Sequence, residues 1–201
     1  METGEKQERV LKILLKDISK KHTVTTLAKE IGISRVGAWK ILKKLEKDKL
    51  INLTQVEKGK TNMYTITLNW DNPVTEKTLA LVLTKEAVTQ QRWISNFAEL
   101  KNKTDFLILY GSIIHSPKEA NDIDVLGIVS NKKNFVEINN ILEKIQKTQL
   151  KKIHAINFTP KEFMHELKKP NKAFIDALKK GVILFSHENF IKFIKKIKYG
   201  D

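Results

Sequence analysis

The sequence predicts a two-domain α/β protein: a helical N-terminal domain ending in a β-hairpin, then a mixed sheet flanked by helices. Three observations predict it. Residues 5–48 carry apolar positions at helical spacing, followed by two alternating stretches around a Gly-containing turn, the pattern of helices leading into a hairpin. Asn72-Pro73 interrupts the chain and changes its composition. Two short apolar runs, 106–110 and 125–129, then bracket a Gly-Ser pair and an Asp-x-Asp, as buried strands bracket a polar site. The expected division is 1–70 for the N-terminal domain, 71–100 for a helical connector and 101–201 for the second domain.

The bulk numbers narrow the class. A chain of 201 residues with 41% hydrophobic and 30% charged residues can bury a core and has the balance of a globular protein, not a disordered one. No apolar run approaches the roughly 18 residues that span a bilayer, so no membrane partner is expected. METGEKQER lacks the apolar stretch of a secretion signal, and the expected location is the cytoplasm. With no cysteine, a disulfide framework and a thiolate metal site are both excluded. The net charge of +14 divides as +7 over 1–70, zero over 71–150 and +7 over 151–201. Basic ends of this kind face a polyanion or solvent. Lys outnumbers Arg 34 to 3, a bias that an AT-rich genome or life at high temperature also produces.

Element by element, residues 5–20 read as an amphipathic helix on Val10, Ile13, Leu14 and Ile18. A second helix covers about 25–31, Gly32-Ile33 makes the turn, and Ser34 caps a third helix running to about Asp48. Strands at 50–57 and 62–68 follow, joined by the turn EKGKTN. Ala28, Gly32, Ala38, Leu42 and Leu45 put small or apolar residues where two helices cross closely.

Three helices and a hairpin in this order, with TTLAKEIGISRVGAWKILKKLEKDKLI at their centre, resemble the winged helix-turn-helix domain of bacterial and archaeal transcription regulators. The resemblance covers the first third of the chain and implies duplex DNA as a partner. Its recognition helix would present Ser34, Arg35, Lys40, Lys43 and Lys44, with Lys58 and Lys60 at the wing tip. In such domains the start of the helix reaches base edges and wing lysines meet phosphate. Winged helices also serve as dimerisation or protein-interaction modules, and lysine faces are often merely solvated. Trp39 is either half-buried against the wing or open to DNA, and packing is the commoner use.

From Val74 to about Leu100 there is neither Gly nor Pro, so one or two helices are expected, with Leu79, Leu81, Val82, Val88, Trp93, Ile94 and Phe97 as apolar faces. Trp93 and Phe97 are four apart, the spacing of a packing pair. Residues 106–110 read as a buried strand ending in Gly111-Ser112, and Asp122-Ile123-Asp124 opens the next. Asp122 and Asp124, two apart on a strand, point to one face, while Ile123 and Val125 point into the core.

FLILYGSIIHSPKEANDIDVLGIV resembles the signature of the DNA polymerase beta-like nucleotidyltransferases, in particular the small stand-alone members. The resemblance implies a nucleoside triphosphate, ATP first among them, with Mg²⁺ or Mn²⁺, and transfer of the nucleoside monophosphate to an acceptor. Gly111 and Ser112 would meet phosphate, since bare backbone and a hydroxyl suit anions. Asp122 and Asp124 would hold the metals, two ions roughly 3.5–4 Å apart clamping an in-line displacement. Members of that superfamily usually carry a third carboxylate on a neighbouring strand, which completes the site. Here the strand expected at 152–158 places His154 at that position, and no acidic residue lies between Lys144 and Lys161. His154 is then a base, a metal ligand or a structural histidine. His115, Ser116 and Lys118 in the intervening loop are phosphate contacts or surface residues.

The remaining elements are a helix over 133–148, a helix opened by Pro160, another bracketed by Pro170 and Gly181, a strand at 182–185 and a basic helix over 189–198. Phe163, Leu167, Phe174, Ile175 and Leu178 recur at helical spacing as core. Lys192, Lys195, Lys196 and Lys198 line the last helix, facing polyanion or solvent. Two functions follow. One is a Mg-dependent nucleotidyltransferase with catalytic Asp122, Asp124 and His154 and a DNA-binding winged helix. The other is a DNA-binding regulator whose second domain has lost catalysis and senses nucleotide or mediates dimerisation.

Overall fold

A computed structural model describes residues 3–57, 63–169 and 172–200. Lys58 and Lys60, expected at the wing tip, lie outside the described residues. The chain divides into two compact units, Met1–Val82 and Leu83–Asp201.

The first unit runs α1 (Thr3–Lys16), β1 (His22–Thr23), α2 (Val24–Ile31), α3 (Arg35–Lys47), β2 (Ile51–Glu57) and β3 (Met63–Leu68). Its antiparallel sheet has the order β1-β3-β2. This is the arrangement of a winged helix-turn-helix domain. Val10, Leu11, Leu14 and Leu15 of α1 share one core with Leu27 and Ile31 of α2 and with Ala38, Leu42 and Leu45 of α3. The sharp turn between α2 and α3 follows from Gly32, which closes α2 at φ 72°, where a side chain would be strained. Ile33 N–H then bonds Ala28 O at 3.0 Å. The start of α2 is held by a Thr23/Thr26 capping box.

Two expectations change here. α1 stops at Lys16 instead of reaching residue 20, because Asp17 is fully buried and its carboxylate accepts the Ser19 N–H at 3.1 Å. A local side-chain bond of that kind offers the backbone an alternative to another helical turn. The two-residue strand β1, pairing His22 with Ile66 and Thr23 with Thr65, is too short to leave an alternating pattern in the sequence.

α4 (Pro73–Val88) contains the boundary between the units. Asn72 starts it, its side-chain oxygen accepting Val74 N–H at 3.0 Å, with Pro73 at the first helical position, where no N–H is needed. Leu79, Leu83 and Ala87 make its buried face, whereas Leu81 and Val88 are 57% and 58% exposed. They lie off the helical stripe and do not serve as the packing faces expected of them. The stretch expected as a connector is not independent either. Ala87, Trp93, Phe97 and Leu100 belong to the core of the second unit, because their apolar side chains have the sheet to pack on.

That unit continues with α5 (Gln91–Asn96), a 3-10 turn at Ala98–Asn102, β4 (Phe106–Tyr110), β5 (Asp122–Ile128), α6 (Asn134–Gln146), β6 (Lys152–Phe158), α7 (Pro160–Lys168), α8 (Lys172–Lys180), β7 (Val182–Phe185) and α9 (His187–Tyr199). The sheet order is β6-β5-β4-β7, with β5 and β6 parallel and the other pairs antiparallel. Alternation along β4 divides the core. Leu107 and Leu109 pack with Trp93, Phe97, Ile138 and Ile141, while Phe106 meets Phe190 and Phe193, and Phe193 meets Phe163 of α7. Helices therefore cover both faces, and the polar ends of β4, β5 and β6 carry the residues of interest.

Candidate nucleic-acid interface and acidic centre

The first candidate site is the outer face of α3. Ser34 caps the helix, its Oγ accepting Gly37 N–H at 3.1 Å, so this side chain anchors the helix start. Ala38, Ile41, Leu42 and Leu45 are buried, and the opposite face exposes Arg35, Val36, Lys40, Lys43, Lys44 and Lys47. The expected basic residues of the helix thus lie together on one open surface. Lys43 is partly engaged: its Nζ lies 2.7 Å from Glu46 Oε2 and 5.0 Å from the centre of the Trp39 ring. Trp39 is half-buried and packs on Tyr64 of β3, ring centres 5.1 Å apart. With Val24, Arg35 and Val36 these two rings line a concavity of about 490 Å³. Val36 and Tyr64 were not singled out in the sequence. An apolar residue off the buried stripe of α3 is the signal that finds Val36.

The second candidate site forms at the end of the four-stranded sheet. Tyr110 is the cross-strand partner of Asp124, and the next residue, Gly111, turns the chain at φ 81°, ψ −166°. This backbone region is essentially closed to other residues. A Cβ on Gly111 would stand 2.3 Å from Asp124 Oδ2, so the glycine also makes room for the carboxylate. Ser112 is exposed and opens a 3-10 turn, its carbonyl accepting Ser116 N–H at 2.8 Å. His115 and Lys118 are exposed in the loop beyond. Lys151 ties that loop to the start of β6 by donating to Lys118 O at 3.2 Å and to Ala120 O.

Asp122 and Asp124 lie on the same face of β5, and the parallel register sets Asp124 opposite His154 on β6. His154 Nδ1 is 3.3 Å from Asp122 Oδ2 and 3.6 Å from Asp124 Oδ1. The three side chains keep 33%, 23% and 46% exposure respectively for Asp122, Asp124 and His154, so the group is open to solvent. One ligand atom from each lies within 4.8 Å of the others. Burial raises the Asp124 pKa above the ordinary carboxylate value, the Asp122 charge raises it further, and His154 opposes both. Burial and the Asp124 and Asp122 charges push Tyr110 up as well. Tyr110 belongs to this site by contact with its field. Nothing in the sequence marks it beyond its place before Gly111.

The donor set can be compared with the ion that the nucleotidyltransferase resemblance implies. Mg²⁺ takes oxygen ligands in near-octahedral geometry, and two carboxylates suit it. The third group here is an imidazole, a ligand for transition ions. The set as a whole therefore departs from one built for Mg²⁺. A second grouping, Asp17, His22 and Glu30, lies in the winged-helix unit. There the Lys20 ammonium already bridges Asp17, at 3.8 Å, and Glu30.

No family model and no curated protein matches the chain. Among solved structures, a zinc-responsive MarR family member, Lactococcus lactis ZitR, is 25% identical over a match covering 48% of this chain and 60% of that one, with a TM-score of 0.31. A substituted form of the same Lactococcus lactis protein is 23% identical over 49% of this chain and 60% of that one, also at 0.31. The match thus spans less than two thirds of those chains. A likeness of this size carries no argument about what the present protein binds.

Proposed function

We propose that this protein is a DNA-binding regulator, docking duplex DNA through α3, whose second domain is a degenerate nucleotidyltransferase fold that senses nucleotide. The observation that carries the reading is the division of α3. One face closes the core, and the other offers Arg35, Lys40, Lys43 and Lys44 to solvent. Side chains so placed reach phosphates and base edges when the helix enters a major groove. In the second domain, His154 stands where a third carboxylate would complete a transferase site, which supports sensing over turnover. Fluorescence anisotropy of a labelled duplex tests the first part. Affinity is expected to fall by orders of magnitude between about 50 and 200 mM salt if several phosphates are neutralised. A shallow slope, or no binding, overturns it. Titration with ATP, with and without Mg²⁺ or Mn²⁺, tests the second.

A second reading, active nucleotidyl transfer from ATP or another nucleoside triphosphate, is favoured by one specific observation. Gly111 holds its glycine-only conformation directly beside Asp124, which suits phosphate approach at a carboxylate pair able to hold a metal. Gly111 and Ser112 would then meet phosphate. Pyrophosphate release on adding nucleotide, lost in an Asp122→Asn/Asp124→Asn double variant, would establish it. No release over a panel of acceptors leaves the regulator reading alone.

A further inference from the structure

We propose that Asp122, Asp124 and His154 form a binding site selective for a first-row transition divalent ion, of the Mn²⁺ to Zn²⁺ class, over Mg²⁺. This deepens the sensing role given to the second domain and names the ion at that site.

The argument starts from the register. Parallel pairing of β5 with β6 puts His154 beside Asp124, and period-two alternation brings Asp122 to the same face. Nδ1 of His154 then lies 3.3 and 3.6 Å from one oxygen of each carboxylate. Ordinary N–H···O bonds are about 2.7–3.2 Å long, so Nδ1 stands between the two carboxylates at the long end of direct pairing, with His154 still a hydrogen-bond partner of Asp124. Two ligand atoms each about 2.0–2.2 Å from one ion lie roughly 2.8–3.6 Å apart in tetrahedral or octahedral arrangements. Both separations from Nδ1 sit within that span, and one ligand atom from each of the three groups lies within 4.8 Å of the others.

Ligand chemistry then decides which ion. Mg²⁺ dehydrates reluctantly and prefers oxygen, so the imidazole adds little for it. Mn²⁺, Co²⁺ and Zn²⁺ accept imidazole nitrogen with carboxylate oxygen, with Mn²⁺ below Co²⁺ in affinity. Exposure of all three side chains leaves positions for water or a nucleotide phosphate to complete the shell. The grouping at Asp17, His22 and Glu30 offers a contrast: there Lys20 supplies the cation internally, through its contacts with Asp17 and Glu30.

The test is calorimetric titration of the full chain, stripped with chelator, with Zn²⁺, Mn²⁺, Co²⁺ and Mg²⁺ separately, without DNA or nucleotide. Co²⁺ binding is followed in parallel by its visible absorption. Zn²⁺ and Co²⁺ are expected to bind at least about tenfold more tightly than Mg²⁺. His154→Ala should weaken Zn²⁺ and Co²⁺ by roughly 10- to 100-fold or more, since even a supporting residue is worth that much. His154→Asp should narrow the gap to Mg²⁺, and Asp122→Asn/Asp124→Asn should remove tight binding, locating it here. His154 is 46% exposed, so both of its variants are expected to fold, which circular dichroism checks. Equal affinity for Mg²⁺ and Zn²⁺ in the unaltered protein, or unchanged Co²⁺ binding in His154→Ala, overturns the proposal. DNA affinity measured in chelator is a separate readout, so failure of the DNA reading leaves this one standing and the reverse.

Discussion

Gly111 and Asp124 approach so closely that a Cβ on the glycine would lie 2.3 Å from Asp124 Oδ2. Two costs fall on Gly111→Ala. Its φ of 81° and ψ of −166° define a conformation that costs a side-chain-bearing residue about 1–3 kcal/mol, and the methyl group displaces the carboxylate. The variant should melt several degrees lower and bind Co²⁺ more weakly. Gly32→Ala is the control: φ there is also positive, at 72°, but no atom lies within 4 Å of the added Cβ. It should lower the melting temperature and leave Co²⁺ binding unchanged. Equal Co²⁺ binding in the two variants would show that Gly111 does not shape the site.

How much of this was legible follows from how local each feature is. Period two alone puts Asp122 and Asp124 on one face with Ile123 behind them, and Gly32, Ser34, Pro73 and Pro160 mark helix ends through local backbone chemistry. His154 is different. Its partnership with Asp124 depends on the β5–β6 register, across the whole of α6, and sequence reaches it only through a family resemblance. The end of α1 is hidden because burial of Asp17 is a tertiary event. Leu81 and Val88 misled for the opposite reason: they are apolar but off the stripe that α4 buries.

Asp124→Asn should separate stability from the proposed metal binding at the acidic centre. Burial and the neighbouring Asp122 charge raise the Asp124 pKa, so ionising it is harder in the folded state than in the unfolded chain. A raised carboxylate pKa means the folded state holds the proton more tightly, and stability falls as pH rises through the two values. Above both values the Asp124 charge therefore opposes folding. Removing one charge should raise the melting temperature of the metal-free protein at pH 7 and abolish the further rise expected on adding Zn²⁺. A lower melting temperature for Asp124→Asn at pH 7 would contradict this account.

Glu162 gives the opposite sign. Its carboxylate accepts from Lys132 Nζ at 2.9 Å and from Thr159 N–H at 2.8 Å, in the capping box of α7. The Lys132 bond, then those from Thr159, lower its pKa from an ordinary 4.5 to about 2. Its contribution is complete above the unfolded value and is lost as pH falls towards the folded one. Glu162→Gln keeps the cap's shape without the charge. The difference in melting temperature between parent and variant should therefore be largest above pH 4.5 and shrink as pH falls towards about 2. A difference that stays constant over that window would mean the charge contributes nothing.

The lysines of α3 should not be equivalent on DNA. Lys43 shares its charge with Glu46 at 2.7 Å and rests over the Trp39 ring, so moving it to a phosphate breaks two contacts within the protein. Lys40 and Lys44 are exposed on the same face. Each phosphate contact contributes about 0.9 to the slope of log affinity against log salt. Lys40→Ala/Lys44→Ala should therefore flatten that slope by up to about 1.8, while Lys43→Ala changes it by clearly less than one contact. Glu46→Gln frees Lys43 and should strengthen binding at low salt. Anisotropy titrations across a salt series measure all three. Equal slopes for the parent and the Lys40/Lys44 variant would remove these residues from the interface, and with them the main support for docking through α3.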